Sequence, residues 1–286
     1  MSEKKKKSEF IYFASRNPKM IVGTVIIVLF LLLTIIGPFF VRSDPFEYVN
    51  PMGPEKPSKE YLFGTTMFGQ DVFAQFVHGL RATFLVGLLG GSIGTLIGIV
   101  LGFTAGYRGG WVDEIINVLT NIVLVIPTFA VLLIISAYLE VRSIFTQSLL
   151  IGLTAWPWAA RAIRAQTFSL RTRDFVDLAK MSGMRQSKII FSEIAPNMMS
   201  YLMMTFILQF GGAILNAATL DFIGLGPTNT MSLGLMMQYA VNWGALQLGM
   251  WWWFIPPGLG ITLIVGALYI MNAGLDEVFN PKLREL

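Results

Sequence analysis

The chain contains no cysteine, a single histidine (His78), and few charged residues among its 286. Without cysteine it can form neither a disulfide nor a thiolate metal site. One histidine cannot supply a cluster of imidazoles for metal binding or acid–base chemistry. The motifs Gly-x-x-x-x-Gly-Lys-[Ser/Thr] and His-Glu-x-x-His are also missing, and the Gly-x-Ser-x-Gly spacing occurs only at 90–94, inside a long uncharged apolar stretch. The chain therefore lacks a phosphate-binding loop and a recognisable catalytic centre. We therefore expect no catalytic residue, no metal site and no cofactor bound by this chain.

Charge is scarce because the chain is predominantly apolar. Hydrophobic residues make up 54% of it and charged residues 13%, and its mean hydropathy is +0.63. Such a composition is typical of a protein embedded in a bilayer. Uncharged stretches of about 17–25 residues or more predict membrane-spanning helices. We predict an all-α membrane protein with six transmembrane helices, at 20–41, 82–107, 115–139, 143–160, 194–220 and 250–271.

The distribution of basic residues predicts the orientation of these spans. If both termini are cytoplasmic, most of the 21 Lys and Arg residues lie on the cytoplasmic side, including the run from Lys4 to Lys7. This asymmetry favours an N-in, C-in topology, and it explains the basic run without any nucleic acid. The chain is predicted to consist of a cytoplasmic tail with an interfacial helix (1–19), a transmembrane domain (20–272) and a second cytoplasmic tail (273–286). The transmembrane domain includes three connecting segments: an external segment (42–81), a cytoplasmic loop (161–200) and an external loop (222–249).

The predicted cytoplasmic loop has the features of a folded helical segment. Phe175, Leu178 and Ala179 fall on one face of a short helix, because they are spaced at i, i+3 and i+4. Gly183 follows where a left-handed helix stop costs least. Ser187 is the expected start of a second helix, which Pro196 interrupts. A folded loop between two apolar spans is expected to contact something outside the membrane.

This loop carries a family resemblance. The order Asp-Leu-Ala at 177–179, then Gly183, then Ile-Ala-Pro-Asn at 194–197 resembles the EAA loop in permease subunits of ATP-binding cassette importers, specifically the dipeptide and oligopeptide permease family. That family usually reads Glu-Ala-Ala and Ile-Leu-Pro-Asn at these places. Further segments are similar to the same family in the same order, namely 63–73, 222–226 and 272–282.

The resemblance implies a type I importer permease fold in a prokaryotic plasma or inner membrane. It implies that the chain forms half of a translocation pathway for short peptides or oligosaccharides. The implied partners are a related second permease, two ATPase subunits that hold ATP and Mg, and an extracytoplasmic substrate-binding protein. A coupling role towards the ATPases then falls on Phe175, Asp177, Leu178, Ala179, Lys180, Gly183, Arg185 and Pro196.

Other membrane residues allow more than one interpretation. Gln209, Asn216 and Asp221 are polar groups on the fifth span, where they are expected either along the translocation route or in helix–helix hydrogen bonds. Glycines recur every four residues in the second span, from Gly90 to Gly106, and predict close packing within this chain or at a subunit interface. The Trp251–253 run is expected in an interfacial aromatic belt.

Two other classes of function remain open on sequence alone. A secondary transporter or a channel subunit would also be multi-spanning, although such carriers usually place ions or carboxylates within their spans. The substrate could instead be nickel or another small solute. Copurification with an ATPase would favour the importer, whereas transport by this chain alone would favour a carrier.

Overall fold

The computed structural model describes residues 12–41 and 43–279, and this part of the chain is mainly helical. The predicted run Lys4–Lys7 and the first part of the interfacial helix lie outside the described residues. Two isolated bridges, Tyr48–Gln70 and Thr65–Asp71, are the only β pairing that the described residues contain. The helices are α1 (Pro18–Phe40), α2 (Val72–Arg108), α3 (Gly110–Val125), α4 (Thr128–Tyr138), α5 (Ile144–Leu170), α6 (Asp174–Met181), α7 (Gln186–Ile189), α8 (Ala195–Asn197), α9 (Met199–Phe222), α10 (Leu233–Asn242) and α11 (Trp251–Phe279).

Four of these helices are individually long and apolar enough to cross a membrane: α1, α2, α9 and α11. The pair α3 and α4 would add a fifth crossing if it is one broken span, since the two helices meet at an angle of 74°. The break falls at Pro127, a residue that removes a backbone hydrogen-bond donor and so favours a kink. Pro157 instead lies inside the continuous helix α5, which is 27 residues long but less apolar.

Several helix bounds differ from the predicted spans because caps, rather than hydropathy, determine where helices begin and end. The carboxylate of Asp71 accepts a hydrogen bond from the backbone N–H of Phe73 at 2.8 Å, so α2 begins inside the predicted external segment 42–81. Helix α5 continues through the first part of the predicted loop 161–200. Helix α10 lies inside the predicted external loop 222–249, and α11 continues into the predicted tail 273–286.

Helices α2 and α5 pack backbone to backbone along the glycine stripe. A Cβ placed on Gly98 would lie 2.5 Å from the Cβ of Ala159, and one on Gly102 would lie 2.8 Å from the Cβ of Ile163. Real Cβ atoms do not approach so closely, so only glycine allows this contact. The interpretation of the stripe as packing within this chain is confirmed.

The segment before α2 forms a cap over one end of the helical bundle. Gly64 and Gly69 adopt positive φ angles of 68° and 73° in its turns. The indole of Trp252 donates a hydrogen bond to the carbonyl of Thr65 at 3.0 Å. Trp252 and Trp253 are both buried, so their predicted place in an aromatic belt is wrong, whereas Trp251 is exposed.

The start of α1 lies beside the end of α11. The side chain of Asn17 caps α1 by accepting from the backbone N–H of Met20 at 3.0 Å, and its amide donates to Glu277 at 2.8 Å. Lys19 forms an ion pair with the same carboxylate. This cluster fixes the two ends of the described chain to each other.

Candidate functional site

The candidate site is the loop that contains α6, Asp174–Met181. Asp174 and Asp177 lie in the first turn of α6 and Lys180 in the last, so both signs of charge complement the helix dipole. Lys180 also forms an ion pair with Asp177 at 2.9 Å, with both side chains largely exposed. Such an exposed pair contributes at most about 1 kcal/mol, so the packing of α6 is what holds it in place.

One face of α6 packs against its own chain. Val176 is fully buried and Ala179 is 5% exposed, and they join a core cluster with Phe103 of α2 and Ile163 of α5. Phe175 is half-buried against the same cluster. The apolar face predicted from Phe175, Leu178 and Ala179 is therefore not free as a whole, because the side chain of Ala179 already contacts this subunit.

The opposite face of α6 carries exposed apolar side chains. Leu178 is 60% exposed and Met181 is 77% exposed. Of the predicted face formed by Phe175, Leu178 and Ala179, Leu178 is the aliphatic residue that remains available for a contact outside this chain. Apolar side chains that protrude from a folded loop are typical of a surface that another protein covers.

Gly183 terminates α6 in the manner predicted. Its φ is +72°, its N–H donates to the carbonyl of Lys180 at 3.0 Å, and the N–H of Met184 donates to the carbonyl of Ala179 at 3.2 Å. These two bonds form a Schellman motif, which pairs the last carbonyls of the helix. The direction in which the chain leaves α6 is thus determined by a left-handed residue.

The second half of the loop differs in detail from the prediction. Helix α7 begins at Gln186, and its N-terminal cap is Arg185 rather than Ser187. A five-residue π-helix, Ile190–Ile194, follows it. Pro196 lies in the first turn of α8, where a proline needs no hydrogen-bond donor, and it starts that short helix instead of interrupting one. The side chains of Arg185 and Pro196 are both exposed.

A polar cleft of about 560 Å³ lies beside α6, and Tyr107, Arg171, Lys180 and Gln186 are among the residues that line it. The guanidinium of Arg171 donates to the carbonyls of Gly106 and Tyr107 at 3.4 and 3.3 Å. These carbonyls lie in the last turn of α2, where a helix leaves its carbonyl groups without partners. The loop is therefore connected to α2 as well as to its own flanking helices.

The three polar residues of the fifth predicted span occupy different environments. The amide of Gln209 donates to the carbonyl of Ala155 at 2.9 Å and so links α9 to α5. Asn216 donates to the carbonyl of Gly212 in its own helix at 3.0 Å. Asp221 is buried and accepts hydrogen bonds from Gln147 and Ser232. The structure does not bring these three side chains together.

Two arginine contacts were missed by the sequence reasoning. Arg164 of α5 forms a two-point ion pair with Asp113 of α3. One turn earlier on α5, the guanidinium of Arg161 donates to the side-chain oxygen of Asn121 at 2.7 Å. The sequence does contain a signal, since both arginines continue the helical spacing of the span before them, although they fall inside the predicted loop 161–200.

Apolar helices that can cross a bilayer, joined by this folded loop, define a multi-pass membrane protein. The sequence profile described as "Binding-protein-dependent transport system inner membrane component" matches residues 98–285. The chain belongs to that family.

Named relatives agree with this assignment. The dipeptide transport system permease protein DppC of Alkalihalophilus pseudofirmus is 34% identical over 94% of this chain and 88% of its own length. The oligopeptide transport system permease protein OppC of Bacillus subtilis is 31% identical over 94% of this chain and 87% of its own length. The dipeptide permease DppC of Escherichia coli is 34% identical over 97% and 93%.

Proposed function

We propose that this chain is a permease subunit of an ATP-driven importer and forms half of a pathway for short peptides. Its relatives are named for dipeptide and oligopeptide transport, which favours peptides over oligosaccharides or nickel as the substrate. In this proposal a related second permease completes the pathway, two ATPase subunits bind ATP and Mg, and an extracytoplasmic binding protein delivers the peptide. The chain itself carries out no catalysis.

The observation that carries the proposal is the two-sided character of α6. Its inner face is anchored by Val176 and Ala179, while Leu178 and Met181 are exposed on the outer face. A short helix with this arrangement can dock in a groove of an ATPase subunit and transmit movement to α2 and α5, against which it packs. Asp177, Lys180 and Arg185 are exposed around it and would orient the contact.

The proposal includes six crossings with both termini in the cytoplasm. The hydrogen bond between Asn17 and Glu277 supports this topology, because it holds the start of α1 next to the end of α11. A chain whose ends share a side must cross an even number of times. Helices α1, α2, α9 and α11 can each cross the membrane, and in this proposal the broken pair α3–α4 is a single, fifth crossing. Helix α5 packs along α2 through the glycine stripe and supplies the sixth.

Replacing Leu178 by Asp tests the docking role. The side chain is exposed in this chain, so the change leaves the fold of the subunit intact but places a charge in an apolar contact, where it would be desolvated. We expect normal amounts of the permease in the membrane, weaker copurification of the ATPase subunits, and loss of ATP hydrolysis stimulated by loaded binding protein.

The matched control is Ser187→Asp, a charge at an exposed position of the same loop but outside α6. It is expected to leave assembly and stimulated hydrolysis unchanged. Full stimulated hydrolysis and uptake by the Leu178→Asp variant would contradict the docking role. Ala179→Asp is a poor substitute for this test, because it would bury a charge within the subunit itself.

A further inference from the structure

One face of the broken pair α3–α4 is left open by the rest of the described chain. Val125 is 83% exposed and Tyr138 is 86% exposed. Between the two helices, Ile126 and Pro127 have extended backbone conformations, and no side chain caps the start of α4 among the residues described. Backbone polar groups near this break therefore need partners from elsewhere.

With the start of α3 at the edge of the hydrocarbon layer, helix length puts the break at a depth where lipid cannot provide such partners. Helix α3 has 16 residues, which extend about 24 Å at 1.5 Å per residue, whereas the hydrocarbon layer is about 30 Å thick. Irregular backbone at membrane depth is tolerated only where protein covers it or water fills a cavity beside it. The open face of α3–α4 is thus directed at protein or water rather than at lipid chains.

Arg161 lies on the same open face. Its guanidinium and the side chain of Asn121, to which it donates at 2.7 Å, are both exposed. Asn121 is one helical turn before Val125 and roughly 17 Å along α3 from Gly110. A charged side chain near the bilayer centre costs at least about 2.5–3.5 kcal/mol, and such residues usually face a water-filled path.

The direction of the Arg161 side chain excludes the common alternative for arginine in a membrane. Arginines near helix ends usually extend towards the nearest headgroups. Arg164, one turn further along α5, already occupies the position next to Asp113 near the start of α3. Arg161 instead extends the other way, to Asn121, which lies deeper along the same helix.

Arg161 also retains unused binding capacity. A guanidinium has five N–H donors in a planar fork, which matches the two oxygens of a carboxylate. Within residues 12–41 and 43–279 the ion pairs join Lys19 to Glu277, Arg164 to Asp113, and Lys180 to Asp177. None of them uses Arg161, whose fork therefore has room for an anion from outside the chain.

We propose that Arg161, oriented by Asn121, binds the C-terminal carboxylate of a peptide during its passage through the water-filled pathway. The inference rests on the proposed importer function. It supplies a recognition group that suits peptides of any side-chain composition, because each free peptide carries one such carboxylate. A guanidinium–carboxylate pair is charge-assisted and often bidentate, so it recognises this group with defined geometry.

The test uses the complete transporter, reconstituted with its partner subunits and binding protein. Uptake of a labelled tripeptide is compared with uptake of the same tripeptide carrying a C-terminal amide. Removing the charge with Arg161→Gln is expected to reduce uptake of the free acid by about tenfold, as befits the loss of a charge-assisted hydrogen bond. Uptake of the amide is expected to stay the same, and Arg161→Lys should retain part of the preference.

The matched control is Arg164→Gln, one turn away on the same helix. It breaks the ion pair with Asp113 and is expected to affect both peptides equally. If Arg161→Gln lowers uptake of both peptides equally, prevents assembly with the second permease, or leaves free-acid uptake unchanged, the inference is overturned. Absence of any ATP-dependent uptake by the unmodified complex would contradict the importer assignment instead.

A second measurement tests the role of Arg161 even if the binding protein does not bind the amidated tripeptide. Because the chain has no cysteine, a single cysteine replacing the exposed Val118 of α3 can be treated with an anionic or a cationic thiosulfonate reagent in the assembled complex. We expect the anionic reagent to react several times faster, and Arg161→Gln to abolish that advantage. Failure of both reagents to react would show that no water reaches this face, and would overturn the inference.

Discussion

At the scale of single residues, position 183 requires glycine because of its left-handed backbone conformation and not because a side chain would lack space. Its φ is +72°, and a Cβ added there would meet no atom within 4 Å. A side chain would therefore find space, but an L-residue would be held in the left-handed region, at a cost of about 1–2 kcal/mol. A β-branched residue would be strained further.

We predict that Gly183→Val inserts normally but transports poorly. The strain is too small to unfold a bundle of this size, yet it redirects the chain as it leaves α6 and misplaces the exposed face of that helix. Membrane abundance, ATPase copurification and stimulated hydrolysis would be measured together. Gly266→Val in α11 is the control, since a Cβ there also meets nothing within 4 Å but needs no positive φ. Uptake at the unmodified rate by Gly183→Val would refute the prediction.

The sequence could predict Gly183 but could not predict which face of α6 is free. Glycine after a helical pattern has one common explanation, the left-handed stop. In contrast, apolar residues occur around α6 at Val176 and Ala179 as well as at Leu178 and Met181. Only the position of Phe103 and Ile163, which come from distant parts of the chain, determines that the first pair is buried.

At the scale of helices, α2 and α5 form a unit whose separation is determined by glycine. Gly98 lies so close to α5 that an added Cβ would be 2.5 Å from the Cβ of Ala159 and 3.0 Å from the backbone nitrogen of Ala160. The second of these atoms cannot move without shifting the helix. In lipid, such close approach is the main source of attraction between helices.

We predict that Gly98→Ala lowers the thermal stability of the assembled transporter, because a single methyl group forces α2 and α5 apart. Overpacking of this kind typically costs about 1–3 kcal/mol. Thermal unfolding in detergent would show the loss, with Gly266→Ala as a control that adds a methyl group in open space. Adding Ala159→Gly should recover part of the stability. An unchanged unfolding temperature in Gly98→Ala would show that the interface is loose.

The observed helix bounds show why hydropathy alone does not predict where a helix begins and ends. The predicted spans ended at the first charged residue, such as Arg81 before span two and Arg161 after span four. Helices α2 and α5 continue past these charges because neither residue interrupts the backbone pattern, and because a side-chain cap is found at Asp71 and at Ser143. The break at Ile126 was readable because Pro127 removes a donor.

At the scale of the whole molecule, the proposed topology, with six crossings and both termini in the cytoplasm, has a direct test. A single cysteine replacing the exposed Thr228 is expected to react with an impermeant thiol reagent added outside intact cells. A single cysteine replacing the exposed Ser187, within α7, is expected to react only after the membrane is opened. The unmodified chain is a suitable background because it contains no cysteine. Labelling of the Ser187 position from outside would contradict the N-in, C-in topology.

Polar contacts between residues that are distant in the chain could not be predicted from the sequence, for a different reason. Nothing in the local pattern around Arg164 indicates Asp113 as its partner, and the same holds for Asp221 with Gln147. These contacts depend on which helices become neighbours, and the glycine stripe fixes only one such pair. The class of protein was readable from composition and motif order, whereas the network of polar contacts required the arrangement of all helices.

The contact between Asn17 and Glu277 has a consequence for the connectivity of the chain. Because the first and last long helices meet at one point, the path of the backbone is nearly a closed ring. In such a ring, the arrangement of the helices does not depend on which connection between them is left open. A short peptide joining the two ends would let the chain be opened elsewhere, for example in the exposed turn at Thr228, with every helix keeping its neighbours.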